Sequence, residues 1–432
     1  MRWHRLYGLR SYLRSTMWVV PVLAYVASFL LVRIVGYIDD WLQWQWAWKL
    51  EIGTVESALQ GLVASTISFI VFAFSSLLVA IQIASAQLTP RIIATTLLRD
   101  NTIRWIVALF VLTLSFGVGT LARSQSQVQY LLVTCSVLLG GASTVAFIYL
   151  IDYAARLLRP VSIVWRLGEE GIKVIEQVYP FKIKGPREAL KLEAPPDPPD
   201  RLVLHKGVSA IILAVDLKTL QREAERTNGV VEVVHQVGNF LSVDEPLLHL
   251  YGGAVSIDDK TLRGAVAFGP ERTIEQDATF SFRIIVDIAI KALSQAINDP
   301  TTAVLAIDQL HRLLRAVGRR HLHDDVINDA DGRPRVVFRT PNWQDFVELS
   351  CREIRLYGAA NYQVARRLRA MLENLARTLP ENRRPALLAE LALLGQTLDR
   401  LDMLPDDLAL AKAADLQGLG APLRRPRVQP HA

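Results

Sequence analysis

An apolar run from Gly61 to Gln87, GLVASTISFIVFAFSSLLVAIQIASAQ, sets the terms on which the rest of this chain can fold. About twenty apolar residues carry a helix across a bilayer, so this run spans one with residues to spare. It stops abruptly at Leu88-Thr89-Pro90-Arg91. For a lipid-facing helix it is unusually polar. Ser65, Ser68, Ser75 and Gln82 recur at intervals of three or seven residues, which places them along one face. Lipid gains nothing from such a face, so the pattern predicts that it meets other helices or lines water.

Three further runs share this character: Trp18–Val35, Trp105–Ala122 and Tyr130–Leu150. The first follows Arg2, Arg5, Arg10 and Arg14 and is closed by Arg33. A signal peptide also starts basic, but its apolar core is shorter and ends in a small-residue cleavage site, which GYIDDWLQWQW does not offer. The expected spans are therefore about 18–35, 61–87, 105–122 and 130–150. The loop after the first holds Asp39, Asp40, Glu51 and Glu56 against Lys49. Its tryptophans Trp41, Trp44, Trp46 and Trp48 suit a membrane–water interface, where an indole buries its ring and keeps its N–H wet. Arg91, Arg99 and Arg104 lie between spans two and three, and Arg156, Arg159 and Arg166 follow span four. The positive-inside rule then puts both chain ends in the cytoplasm.

The spans are read as free of charge near their centres. Pumps and voltage sensors usually carry intramembrane ionisable groups, so their absence argues against a coupled transporter but not against a passive pore. Ser115-Phe116-Gly117-Val118-Gly119 and Gly140-Gly141-Ala142-Ser143 bring small residues that let helix backbones approach closely, and tight bundle packing is their simplest account.

The chain has 432 residues, 51% of them hydrophobic. The apolar excess falls in the first third, which leaves room for a soluble part. The expected fold is a membrane α-helical domain of four transmembrane helices (1–155), followed by a cytoplasmic α+β domain. A juxtamembrane amphipathic segment and a proline-rich linker, LEAPPDPPD, fill 156–200. A small β-rich module, a barrel or α+β unit, occupies 201–270. Its strands are GVSAIILAVD, GVVEVVHQVG and two short ones around Asp244-Glu245-Pro246, with a helix capped by Asp216 and stopped at Asn228-Gly229. A helical module follows over 271–417, then a disordered tail over 418–432. Within the helical module a central helix, FSFRIIVDIAIKALSQAI, runs to Asn298, and Asp287 and Lys291 are spaced to pair across one turn. Asp299 and Pro300 start the next helix as N-cap and first-turn proline. A long helix is then expected from Asn342, with Asp345 reaching back, through to Pro380. Another is expected over Pro385–Leu401.

Candidate chemistry is sparse. Asp287, Asn298 and Asp299 form either a ligand site or, more simply, a structural helix–turn–helix corner. Thr89, Pro90 and Arg91 form a corner able to couple the second span to the soluble part. His321-Leu322-His323-Asp324-Asp325 contains metal-ligand types, but with no second ligand pair at a recognised spacing it reads as a solvated loop. No Walker loop, dinucleotide fingerprint, zincin motif or nucleophile elbow is present, so no enzyme activity, cofactor or bound metal is expected. The net charge of +6 lies largely beside apolar segments, where it reports topology and not nucleic acid. Cys135 and Cys351 are expected to be reduced, structural thiols.

LTPRIIATTLLRD after a serine-rich span, VGNFLSVDEPL, and above all FSFRIIVDIAIKALSQAINDPTTAVLAIDQL resemble the bacterial family of predicted membrane proteins known as domain of unknown function 2254. The family's usual form has Arg where Lys291 stands and Pro-Gly or Pro-Ala where Gln295-Ala296 stands. The resemblance implies the architecture and an inner-membrane address, and no catalytic residues. Two functions fit the sequence. One is a homo-oligomeric channel or pore-like protein in which Ser65, Ser68, Ser75 and Gln82 line a path. The other is a membrane-anchored scaffold or sensor whose soluble module binds a partner or small ligand, the serine stripe then being a helix-packing seam.

Overall fold

The computed structural model describes residues 16–42, 51–87, 100–124, 128–157, 159–183, 198–322 and 326–420. The expected corner Thr89-Pro90-Arg91, Trp44, Trp46 and Trp48, the linker core, His323-Asp324-Asp325 and the end of the tail lie outside these residues. The chain divides into two compact units, one comprising 11–86 and 90–163, the other mainly 164–432.

The first unit holds four long apolar helices: α1 (Val19–Leu42), α2 (Ile52–Gln87), α3 (Asn101–Arg123) and α4 (Tyr130–Leu157). All four are long and apolar enough to cross a membrane. All four differ from the sequence reading at their ends: α3 starts four residues earlier, at Asn101, and α4 runs on from Leu150 to Leu157. α1 does not stop near Val35 but continues to Leu42, so Arg33 lies inside the helix instead of closing it. The continuation has a partner: the Asp39 carboxylate accepts the Leu131 N–H in the open first turn of α4, at 3.2 and 3.3 Å. α2 begins at Ile52, well before Gly61, because nothing in IGTVESALQ opposes a helix once Gly53 and Gly61 are tolerated inside it.

α3 is the centre of this unit. Some 44% of its apolar window is buried, against 11% for α2. Phe110 and Phe116 are fully enclosed, and Phe69 of α2 stacks on Phe147 of α4 with ring centroids 4.3 Å apart. The glycines expected to allow close approach do so at specific places. A Cβ on Gly140 would lie 2.6 Å from Leu62 Cδ1, and one on Gly119 would lie 2.9 Å from Val32 Cγ2, whereas Gly141 has nothing within 4 Å.

The second unit begins along α5 (Pro160–Val178). Gly168 and Gly171 let α5 settle on its neighbours, since a Cβ at Gly171 would meet Leu313 Cδ2 at 2.9 Å. Eight strands follow in two sheets: β1 (Arg201–Leu204), β2 (Ala210–Val215), β3 (Gly229–Val233), β4 (Phe240–Leu241), β5 (Pro246–Gly252), β6 (Val266–Gly269), β7 (Val326–Asn328) and β8 (Pro334–Phe338). The larger sheet has the order β1-β5-β3-β8-β7 and the smaller β4-β2-β6. The two short strands around Asp244 belong to different sheets, and Asp244 turns the chain between them at φ +66°. β7 and β8 come from the stretch read as helical; β8 joins β3 in parallel, with Val231 opposite Val336 and Val233 opposite Phe338. Alternating Val231, Val233, Leu248, Leu250, Val336 and Phe338 form the core with Leu220 and Ala224 of α6 (Leu217–Thr227) and Leu262 of α7 (Asp259–Gly264). α6 has the expected ends, with the Asp216 carboxylate on the Thr219 N–H and Asn228 in the left-handed region at φ +50°.

The remaining helices are α8 (Ala278–Ala292), α9 (Pro300–Gly318), α10 (Trp343–Gly358), α11 (Tyr362–Thr378), α12 (Arg384–Asp399) and α13 (Pro405–Ala411). α8 ends at Ala292, six residues before Asn298. The long helix expected from Asn342 to Pro380 is two helices, because Asn361 caps a new start with its side chain on the Val364 N–H. Asn342 and Asp345 do form a reciprocal capping box. Phe282 and Phe346 pack 5.1 Å apart in the helical core, and the buried Arg355 and Glu390 pair at 3.3 Å ties α10 to α12. Residues 418–420, placed in the disordered tail by sequence, are held: the Asp415 carboxylate accepts the N–H groups of Gln417, Gly418 and Gly420.

Candidate functional site

The second unit contains a cavity of about 670 Å³, within the range of small-molecule sites. Topology explains its position. β3 and β8 are parallel, so both leave the sheet at the same edge, and the residues that follow them, His235-Gln236-Val237 and Arg339-Thr340-Pro341, stand side by side along the cavity. β2 ends there too and passes straight into the first turn of α6 through Asp216, Leu217 and Lys218. The crevice beyond the carboxyl ends of parallel strands is where ligands bind in open α/β sheets. Val215, Val233, Val237, Ile327 and Phe338 give it an apolar floor. The end of α5, the buried Tyr179 just beyond it, and the start of α8 complete the wall.

The wall is fixed by hydrogen bonds. Gln276 Oε1 accepts the Val215 N–H at 3.3 Å, tying the end of β2 to the turn before α8. Asp277 caps α8, its Oδ1 accepting the Phe280 N–H at 3.1 Å and the Thr279 hydroxyl. Its other oxygen is buried without a hydrogen bond, and faces Arg272 Nε at 3.4 Å. Burial pushes the Asp277 carboxyl above the usual range, with the Thr279 hydroxyl and the Arg272 charge acting against it. Gly238 makes room for this pair. It sits at φ +92°, and a Cβ there would lie 2.4 Å from Asp277 Oδ2 and 2.3 Å from Arg272 Nη2.

The residues singled out by sequence lie elsewhere. Ser65, Ser68, Ser75 and Gln82 are all exposed on α2, whereas Val55, Leu59, Thr66 and Ala73 are buried. The Ser65 hydroxyl donates to the Leu62 carbonyl at 2.9 Å and Ser68 to Ala64 at 3.0 Å. Asp287 does not pair with Lys291. It accepts from Arg283, which is also held by Glu353 at 2.6 and 2.9 Å. The salt bridge reaches backward along α8, where the five donors of the rigid guanidinium serve Asp287 and Glu353 together. Asn298 takes φ +46° and Asp299 caps α9 through the Thr302 N–H, so this corner is occupied by its own backbone. None of these residues lines the cavity. Among the described residues no cluster of three metal-ligating side chains exists. Cys135 and Cys351 are both free thiols, and burial drives the Cys351 thiol well above its ordinary value.

The cavity residues were missed for a physical reason. Lys218, His235 and Arg339 are single polar residues just beyond strand ends, scattered over more than a hundred positions, and only the tertiary fold, with β3 and β8 parallel and β2 ending beside them, collects them. The signal in the sequence was the short polar step after each valine-rich run.

The family described as Predicted membrane protein (DUF2254) matches residues 14–374 of the chain. Uncharacterized proteins of Mycobacterium bovis and Mycobacterium tuberculosis are 27% identical over 416 residues, covering 91% of this chain and 78% of theirs. No solved structure matches it.

Proposed function

The chain belongs to this family of predicted membrane proteins, and we propose that it is a membrane-anchored sensor whose α+β unit binds a small ligand without turning it over. One observation carries the reading: a cavity of about 670 Å³ at the carboxyl ends of parallel strands, apolar below and polar at its mouth. Binding is favoured over catalysis because His235, the lining imidazole, has neither a carboxylate nor a nucleophile as a hydrogen-bond partner among the described residues. The arginine distribution supports a cytoplasmic position for this unit, and the family supports a bacterial inner-membrane address. Native mass spectrometry of the full-length protein in nanodiscs, after exposure to a small-molecule extract of bacterial cytosol, tests the idea. Wild type should retain small-molecule adducts that Ile327→Trp, which fills the floor, loses. Identical adducts on both proteins, or none on wild type, would sink it.

A second reading, a homo-oligomeric pore, is favoured by the outward exposure of Ser65, Ser68, Ser75 and Gln82. A path along that face needs other copies, because no helix among the described residues covers it. Changing Ser68, Ser75 and Gln82 to Leu should abolish conductance in planar bilayers while the oligomer persists. Conductance that survives all three changes removes the stripe from the path.

A further inference from the structure

Lys218, His235 and Arg339 line the cavity from three different segments, and none forms an ion pair among the described residues. The acids that line it are committed to the fold. Asp216 accepts the Thr219 N–H at 3.2 Å and the Thr219 hydroxyl at 2.7 Å. Asp277 caps α8 and faces Arg272 from a nearly closed position, and Glu275 has an interaction of its own. Lys218 also stands in the first turn of α6, where a helix leaves N–H groups open and carries positive partial charge. The uncommitted donors and cations therefore sit at the mouth, above an apolar floor.

Resting on the sensor reading, we propose that the cavity takes a small organic anion, its apolar body against Val233, Val237, Ile327 and Phe338 and its carboxylate or phosphate between Lys218 and Arg339. Two features of the lining divide the labour. The floor supplies affinity by removing apolar surface from water. The cations select the head, since charge-assisted hydrogen bonds are the strong ones and Arg can grip two oxygens at once. His235, also on the lining, adds a hydrogen-bonding ring nitrogen.

The test uses full-length protein in phosphatidylcholine nanodiscs, with 2-naphthyl phosphate as a fluorescent probe read by anisotropy against empty nanodiscs. Wild type should bind the probe and bind 2-naphthylmethylamine and 2-naphthol at least tenfold more weakly. Lys218→Gln and Arg339→Gln should each weaken the probe about tenfold, with unchanged circular dichroism, because both side chains are exposed. Inorganic phosphate should compete poorly, and Ile327→Trp should block the probe. Phosphatidic acid in the nanodisc identifies the source of the head: displacement of the probe assigns it to a lipid, retention to a soluble ester. Equal binding of the amine or the alcohol, or no effect of either cation change, overturns the anion while leaving a ligand-binding unit standing. Failure of all three naphthyl compounds overturns the proposed class, and the adduct experiment above then decides the sensor reading by itself.

Discussion

In α3 and α4 the small polar side chains face each other across the helix pair. The Thr113 and Ser143 hydroxyls share a hydrogen bond of 2.8 Å, and Ser136 donates to Thr120 Oγ1 at 3.0 Å, all four residues being buried. In α2 Ser65, Ser68 and Ser75 face outward, and Ser65 and Ser68 bond to carbonyls three or four residues back in their own helix. A hydroxyl satisfied by its own backbone tolerates lipid, water or another subunit equally. A hydroxyl paired across helices fixes two backbones at one distance. Serine content therefore says little about a span until the partner of each hydroxyl is known.

The contrast is sharpest where backbone meets side chain. Gly140→Leu drives a side chain into Leu62, and should cost about 1–3 kcal/mol, read as a lower midpoint in a denaturing-detergent titration. Gly141→Leu, one residue along with nothing within 4 Å, should be close to neutral. If the two behave alike, α2 does not lie where the packing puts it.

Acid should separate the two units. His311, on α9, is held well below its ordinary value of 6.5, at about 4, by burial first and then by the Arg367 and Arg315 charges, against the opposing hydrogen bond that its Nε2 donates to Asn374 Oδ1. A histidine kept neutral in the fold takes up a proton only on unfolding. Its contribution is full above pH 6.5 and is lost as pH falls towards 4. The α+β unit should lose thermal stability over that window, and His311→Gln should flatten the loss. An unchanged pH profile in the variant would assign the acid sensitivity elsewhere.

Smaller effects follow for the hydroxyls themselves. Thr113→Val leaves Ser143 without its partner and should destabilise by about 0.6 kcal/mol, with ~1.7 as the upper range. A double-mutant cycle with Ser143→Ala isolates the coupling. The paired change Ser65→Ala and Ser68→Ala should move the stability of the four-helix unit by less than about 0.5 kcal/mol. A loss as large as that of Thr113→Val would mean that the exposed face is covered by a second copy.

Much of this architecture was legible. Apolar run length gives the four spans. Asp216, Asn228, Asp299, Asn342 and Asp345 mark helix ends because each residue type satisfies a backbone group locally. What was not legible depended on distant partners. Nothing near Asp39 announces that it will cap α4, some ninety residues on. The paired helices α10 and α11 read as one because Gly358-Ala-Ala-Asn361 is a weak stop, and only the cap formed by Asn361 decides the break. The cavity was invisible for the same reason, being assembled from three strand ends that sequence proximity does not relate.

The parallel pairing of β3 with β8 also sets an order of events. Val231 meets Val336 only after roughly a hundred further residues have been made. As the chain emerges, β5 can pair with β1 and β3 at once, but the other side of β3 waits as an unpaired strand edge, the kind that recruits foreign strands. By then the four spans have already left the ribosome. The nascent protein is thus tethered at the bilayer while its sheet is still incomplete, and the segments of α8 and α9 are made in the interval. Truncation before Pro334 should leave a sticky, membrane-bound intermediate, and release of Phe338 should be the moment at which the sheet and the cavity beside it close together.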